Sequence, residues 1–89
     1  MANNKRTLKR DINYIFGDII EAAYLHQITH PKEDPAKSEA IVDEAIADFD
    51  EMIGKMNQKD VENKKQHFKG IEKELEAKAR DLVDKVNAL

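Results

Sequence analysis

The chain lacks cysteine and tryptophan altogether and has no long apolar run. Without cysteine, disulfide bridges, thiol catalysis and thiolate metal sites are excluded. No stretch approaches the roughly 18 apolar residues that a membrane-spanning helix needs. The first apolar stretch, residues 12–20, is interrupted by Asn13, Gly17 and Asp18, so it does not resemble the apolar core of a signal peptide. We therefore predict a soluble chain without an export signal.

Glycine and proline are also scarce, with three Gly and two Pro in 89 residues. These are too few for the many turns of a β-sandwich or barrel. Hydrophobic residues make up 40% of the chain and charged residues 37%, and a charged fraction above the typical quarter suits exposed helices. A chain of this length has room for one core. We predict a single all-α domain over residues 1–89.

Three segments repeat apolar residues at steps of three and four, the spacing that keeps side chains on one face of a helix. They predict helices over about residues 5–28, 35–57 and 61–88, and their short connections predict an antiparallel up-down-up three-helix bundle. The predicted core residues are Leu8, Ile12, Ile15, Ile19, Ala22 and His26 in the first helix, with Phe16, Ile20 and Ala23 widening its apolar arc, Ile41, Val42, Ala45, Ile46, Phe49, Met52, Ile53 and Met56 in the second, and Phe68, Ile71, Leu75, Ala79, Leu82, Val83, Val86 and Leu89 in the third. The acidic residues of the second helix are expected to face water.

The helix ends carry recognisable signals. Asn4 or Thr7 can cap the first helix with a side-chain oxygen, and Pro31 must end it. Asp34 followed by Pro35 is a strong start for the second helix. The two prolines therefore predict a chain reversal between these helices.

The boundary between the second and third helices is less well marked. Val61 is the only apolar residue from 57 to 65, and Asp60 or Asn63 offers a fresh N-cap. We predict a reversal at residues 57–60. One continuous helix through both segments is the alternative, because no glycine or proline enforces the break.

No motif for catalysis or for a cofactor is present. The chain has a single serine, Ser38, and no glycine-rich phosphate loop. The Glu-x-x-His pattern of di-iron bundles is absent at all three histidines. We therefore predict a protein that is not an enzyme and that carries no cofactor.

Two histidines raise the question of a metal site. His26 and His30 are four residues apart, so a helix could present both imidazoles to one ion, with Glu33 or Asp34 as a third ligand. We favour a structural interpretation, in which His30 lies outside the helix and His26 closes the end of the bundle with its polar edge in water. His67 belongs to the opposite end. The prediction is no metal site.

Charge is distributed unevenly along the predicted bundle. One end collects residues 1–14 and 52–73, with a net charge of +6, whereas the remaining residues carry −9. Helix dipoles favour acids at helix starts, yet the starts of the first and third helices are basic. The candidate anion-contact residues are Lys5, Arg6, Lys9, Arg10, Lys64, Lys65 and Lys69. A solvated surface of mixed charge is the simpler interpretation, and nucleic acid or another polyanion is the alternative partner.

The first helix is apolar over more than half of its circumference. Tyr14, Leu25 and Ile28 form a second apolar edge that a three-helix bundle does not need. Gly17 points away from the core stripe, which either admits a close helix from another chain or is simply tolerated. We predict a non-enzymatic interaction protein with an unidentified protein partner, which self-associates as a homodimer through Tyr14, Gly17, Leu25 and Ile28.

Residues 8–15 (LKRDINYI), the proline-containing loop, the acidic second helix and the closing stripe from Phe68 to Leu89 resemble a family of short bacterial helical proteins with no assigned function. The resemblance covers nearly the whole chain and lies in packing and polarity. It implies a cytoplasmic bacterial protein with a helical bundle. It implies no activity and identifies no functional residue.

Overall fold

The structure, a computed structural model, describes residues 4–89. It contains three helices, α1 (Lys5–Thr29), α2 (Ala36–Met56) and α3 (Lys64–Asn87), and no strand within the described residues. Each helix packs against both of the others. The predicted all-α three-helix bundle is confirmed.

Contacts between neighbouring helices show that they run antiparallel. Phe16 of α1 meets Phe49 of α2 edge to face at 6.3 Å between ring centroids, and Gln27 donates a hydrogen bond to Ser38 Oγ at 2.8 Å. The paired residue on α2 therefore moves towards its start as α1 proceeds. Lys85 of α3 likewise reaches back to Glu44 near the start of α2. The molecule is a rod of 51 × 21 × 17 Å.

The core runs the length of the rod between the three helices. Its buried hydrophobic residues are Leu8, Ile12, Phe16, Ile19 and Ala23 of α1, Ile41, Val42, Ala45, Met52 and Met56 of α2, and Ile71, Leu75 and Leu82 of α3. Phe49 and Phe68 are partly buried and pack against them. Most of the predicted core is confirmed.

Two predicted core residues are exposed instead. Ile46 keeps 47% of its accessible surface and Val83 keeps 44%. Each lies about a quarter turn from the centre of its helix's apolar stripe, because successive residues are rotated by about 100°. The narrow three-helix bundle does not cover so wide an arc.

Asparagine side chains begin α1 and α3. Asn4 Oδ1 accepts a hydrogen bond from Thr7 N at 2.9 Å, and Asn63 Oδ1 accepts one from Gln66 N at 3.1 Å. Because Asn63 is the cap, α3 begins at Lys64, three residues later than expected. Residues 57–63 separate α2 from α3, so the reversal is confirmed and the alternative of one continuous helix is wrong.

The connection from α1 to α2 is short and held by side chains. Asp34 Oδ1 accepts a hydrogen bond from Ala36 N at 3.0 Å, and Ser38 Oγ donates to the carbonyl of Pro35 at 3.0 Å. Pro35 occupies the cap position, so α2 begins at Ala36. The predicted start at the Asp34 to Pro35 pair is confirmed to within one residue.

Candidate functional site

The first candidate site is the side of α1 that faces away from the core. Tyr14 keeps 66% of its accessible surface, Leu25 57% and Ile28 74%. At about 100° per residue these three side chains and Gly17 lie opposite the buried residues of α1. A Cβ built on Gly17 meets nothing within 4 Å. The second apolar edge predicted for this helix is therefore left uncovered by the described part of the chain.

Two further residues belong to this outer face of α1, which we define as Tyr14, Gly17, Glu21, Tyr24, Leu25 and Ile28. The sequence reasoning missed Tyr24, which is exposed, and Glu21, which interrupts the apolar surface at its middle. Steps of three and four connect these positions, which was the signal available in the sequence. The outer face is a narrow stripe that could contact one partner helix.

The second candidate site is the basic end of the rod. Antiparallel packing brings the starts of α1 and α3 to this end, as predicted. The seven candidate anion-contact residues, Lys5, Arg6, Lys9, Arg10, Lys64, Lys65 and Lys69, are all exposed. Within residues 4–89, the one ion pair that any of them forms is between Arg10 and its neighbour Asp11, at 3.6 Å. Most of the candidate anion-contact residues therefore keep their charge uncompensated by an ion pair within the described residues.

Three other lysines, among them Lys55 of the basic end, behave differently and form a ladder between α2 and α3. Lys55 Nζ lies 2.8 Å from Glu74, Lys78 Nζ lies 3.3 Å from Asp48 and 3.2 Å from Glu51, and Lys85 Nζ lies 2.7 Å from Glu44. Glu44 and Asp48 are half-buried rather than facing water as expected. The acidic side of α2 is thus partly used to hold α3.

The ladder changes the protonation equilibria of its members. Hydrogen bonds from Lys78 and then Lys55 hold the pKa of Glu51 below its ordinary value of 4.5. The hydrogen bond to Glu51 raises the pKa of Lys78, and the hydrogen bond to Glu74 raises the pKa of Lys55. In each case a partner of opposite charge favours the charged form.

The third candidate site lies at the acidic end, where α1 meets the loop to α2. His26 Nε2 lies 2.8 Å from Glu33 Oε2, and the ring of His30 stacks on that of His26 with 4.1 Å between centroids. His30 follows the last residue of α1, as predicted. Its ring nevertheless folds back along the helix, so the structure brings together side chains that sequence reasoning had separated.

His67 is far from this cluster and has a structural contact of its own. It is half-buried near the start of α3, and its Nε2 donates a hydrogen bond to the carbonyl of Lys55 at 2.6 Å. Carbonyls in the last turn of a helix lack intrahelical partners. His67 therefore supplies a donor to one of these carbonyls at the end of α2. Its predicted location, at the end of the rod opposite His26 and His30, is confirmed.

Comparison with known proteins supplies no relative: no family model, no curated protein and no solved structure matches the chain. The resemblance to short bacterial helical proteins stays a prediction. Among residues 4–89, none of the helices combines the length and the apolar character that crossing a membrane requires.

Proposed function

We propose that the protein is a non-enzymatic, cytoplasmic interaction module of bacterial type that works as a homodimer, with the outer faces of α1 from two copies packed together. The observation that carries the proposal is the exposure of Tyr14, Leu25 and Ile28 on one face of one helix. Large apolar side chains aligned along one exposed helix face offer a surface that a partner can cover.

The charge distribution favours a second copy as the occupant and favours an antiparallel arrangement. The first part of α1 carries Lys5, Arg6, Lys9 and Arg10, whereas its last part, residues 24–29, carries no lysine or arginine and leads to Glu33 and Asp34. Two antiparallel copies place the basic end of each beside the acidic end of the other. A parallel pair would place like charges together, which is unfavourable.

The length of α1 suggests where two copies cross. The helix runs from Lys5 to Thr29, so its midpoint is Gly17. Two α1 helices that overlap fully in antiparallel orientation meet at this residue, where the lack of a Cβ allows close approach of the backbones. The same register brings Tyr14 beside Glu21 of the second copy and Arg10 beside Tyr24 of the second copy. The Glu21 carboxylate, which interrupts the apolar surface, can then accept a hydrogen bond from the Tyr14 hydroxyl of the other copy.

The mass in solution tests the dimer. We expect light scattering at tens of micromolar to give twice the chain mass, and Tyr14→Ser to give the monomer mass. Ile46→Ser is the matched control, because Ile46 is also an exposed apolar residue but lies on α2, and it should leave the mass unchanged. A monomer mass for the unaltered chain would remove the proposal.

Cysteine cross-linking tests the arrangement, because the chain has no cysteine of its own. Gly17→Cys should form a disulfide between copies under mild oxidation, while Gly54→Cys on α2 should not. Arg10→Cys should pair with Tyr24→Cys in a mixture of the two variants and not with itself. Efficient self-pairing of Arg10→Cys would instead indicate parallel helices.

The uncompensated charge of most candidate anion-contact residues favours a second candidate function, binding of a polyanion such as nucleic acid. Lys64→Gln combined with Lys65→Gln should weaken binding to single-stranded or duplex nucleic acid in a gel-shift assay. The same double change at Lys32 and Lys37, exposed lysines of the acidic end, is the control. Binding by several phosphate contacts falls by orders of magnitude between about 50 and 200 mM salt, so salt-insensitive or undetectable binding would contradict this candidate.

A further inference from the structure

We propose that His26, His30 and Glu33 form a binding site for a divalent transition-metal ion of the Zn²⁺ type. One ligand atom from each residue lies within 4.8 Å of the ligand atoms of the other two. Among residues 4–89, no other group of three or more His, Asp or Glu side chains meets this distance. Two imidazoles and a carboxylate are a donor set that suits zinc, nickel and copper.

Two of the three donors are spaced nearly as around a bound ion, whereas the third has to turn. The His30 ring stacks on the His26 ring with 4.1 Å between centroids and 15° between planes, so the in-plane lone pairs run nearly parallel and the exposed His30 ring rotates to reach the same ion. Tetrahedral zinc with bonds of about 2.0–2.1 Å holds its ligand atoms about 3.3 Å apart. His26 Nε2 and Glu33 Oε2 are already 2.8 Å apart. A carboxylate only accepts, so His26 Nε2 carries the proton of this contact. Binding requires the His26 ring to take its Nδ1–H tautomer, which frees the Nε2 lone pair, and Glu33, whose side chain is about half exposed, to rotate outward so that the ion enters between them.

The hydrogen bonds around His30 leave one of its nitrogens free for an ion. Its Nδ1 lies 3.0 Å from the carbonyl oxygen of His26 and 2.9 Å from Thr29 Oγ1. A carbonyl oxygen only accepts, so Nδ1 carries the ring proton and Nε2 keeps the lone pair that a metal needs. A backbone carbonyl in this role is the usual second partner of a metal-binding histidine.

The loop that carries Glu33 is held in place without an ion. Glu33 N donates to the carbonyl of His30 at 3.1 Å, and Asp34 Oδ1 accepts from Ala36 N on the other side. Pro31 and Pro35 flank this turn and restrict its backbone. His30, Pro31, Glu33, Asp34 and Pro35 line a hollow of about 90 Å³ beside His26, which has room for an ion and one or two waters.

The proposed site has three protein ligands, so a tetrahedral ion would keep one position for water or a further ligand. It is also independent of the proposed dimer. His26, His30 and Glu33 lie at the acidic end and none belongs to the outer face of α1. The site is therefore expected to bind one ion per chain in the dimer and in the Tyr14→Ser variant alike.

Titration calorimetry with ZnCl₂ and the full chain tests the site. We expect one Zn²⁺ per chain with a Kd below about 100 µM, and no comparable binding of Mg²⁺, which prefers six oxygen ligands. His30→Gln and Glu33→Gln should each weaken binding at least about tenfold, in line with loss of a direct ligand. Both residues are exposed, so circular dichroism should show an unchanged fold.

Two control variants separate the site from general attraction of cations. Glu39→Gln removes an exposed acid of the same end, and His67→Gln removes the distant imidazole; neither should change the Kd for Zn²⁺. In NMR spectra, the ring signals of His26 and His30 should shift on addition of Zn²⁺ while those of His67 stay in place. Undetectable binding at about 100 µM Zn²⁺, or equal binding by His30→Gln, would overturn the proposal and leave the contact between His26 and Glu33 as a tether for the loop.

Discussion

Lys78 of α3 and Asp48 of α2 form the least exposed ion pair described in the molecule, with 3.3 Å between Nζ and Oδ1 and side chains that keep 25% and 16% of their accessible surface. Fully exposed pairs contribute little to stability because water and salt screen them and long side chains lose freedom. This pair is partly shielded and connects two helices, so its contribution should be measurable.

A double-mutant cycle on this pair is the first test. Lys78→Ala, Asp48→Ala and the double variant should show a coupling free energy of about 0.5–1 kcal/mol in urea unfolding. The same cycle on Arg10 and Asp11, which pair at 3.6 Å on the surface of α1, is the control and should give about zero. Equal coupling energies in the two cycles would show that shielding between the helices has no effect.

The ladder between α2 and α3 should also make stability depend on pH in a defined direction. The pKa of Glu51 is lowered in the folded chain, so its stabilising effect is present above the ordinary value of 4.5 and is lost as pH falls through the lower folded pKa. Glu51→Gln should therefore be less stable than the unaltered chain at pH 7, and the difference should shrink towards pH 3.

The neighbouring residue supplies the control for this measurement. Asp50 is exposed and forms no ion pair within residues 4–89, so Asp50→Asn should show a smaller difference from the unaltered chain at pH 7. Lys78 gives the opposite pH dependence of stability at alkaline pH. Its pKa is raised in the folded chain, chiefly by the hydrogen bond to Glu51, so its contribution is fully present below the ordinary value of 10.5 and is lost as pH rises through the higher folded pKa. A difference for Glu51→Gln that is constant from pH 7 to pH 3 would contradict the ion-pair account.

Local signals were sufficient to predict the helices and most of the core. Asn4 and Asn63 cap α1 and α3 from positions that the sequence marks, and the steps of three and four identify Ile12, Leu75 and Leu82 as buried. These features depend on residues within a turn or two of each other. They can be read without knowing how the helices pack.

Features that depend on the register between helices could not be predicted in the same way. Lys78 reaches Asp48 across 30 residues of sequence, and either side chain alone is a common surface residue. The stack of His30 on His26 depends on how the chain turns after Thr29, where helical spacing no longer applies. The exposure of Ile46 likewise depends on how much of α2 its neighbours cover.

Adjacent residues near the end of α3 test the placement of the core. Leu82 is fully buried and Val83 is exposed. Leu82→Ala should lower the free energy of unfolding by about 2–5 kcal/mol, because it removes buried methyl groups and leaves a cavity. Val83→Ala should change it by no more than about 0.5 kcal/mol. Urea titrations monitored by circular dichroism measure both values, and similar losses for the two variants would mean that α3 is rotated about its axis.

Distances between spin labels test the topology on which the basic end depends. Lys9 of α1 and Lys69 of α3 are exposed and lie near the same end of the rod, so labels attached to cysteines at these positions should be within about 20 Å, given spacings of 8–10 Å between helix axes.

A second label pair supplies the contrast. The pairing of Phe16 with Phe49 and of Gln27 with Ser38 places Lys9 opposite Met56. Glu39 is 17 residues from Met56 along α2, or about 26 Å at 1.5 Å per residue. Labels at Lys9 and Glu39 should therefore be more than about 25 Å apart.

Both label pairs should be measured after dilution with excess unlabelled chain, so that distances between copies do not contribute. A separation above about 35 Å between Lys9 and Lys69 is far beyond the spacing of packed helices. It would mean that α1 and α3 do not start at the same end. The charge at that end would then be divided, and the polyanion candidate would lose its basis.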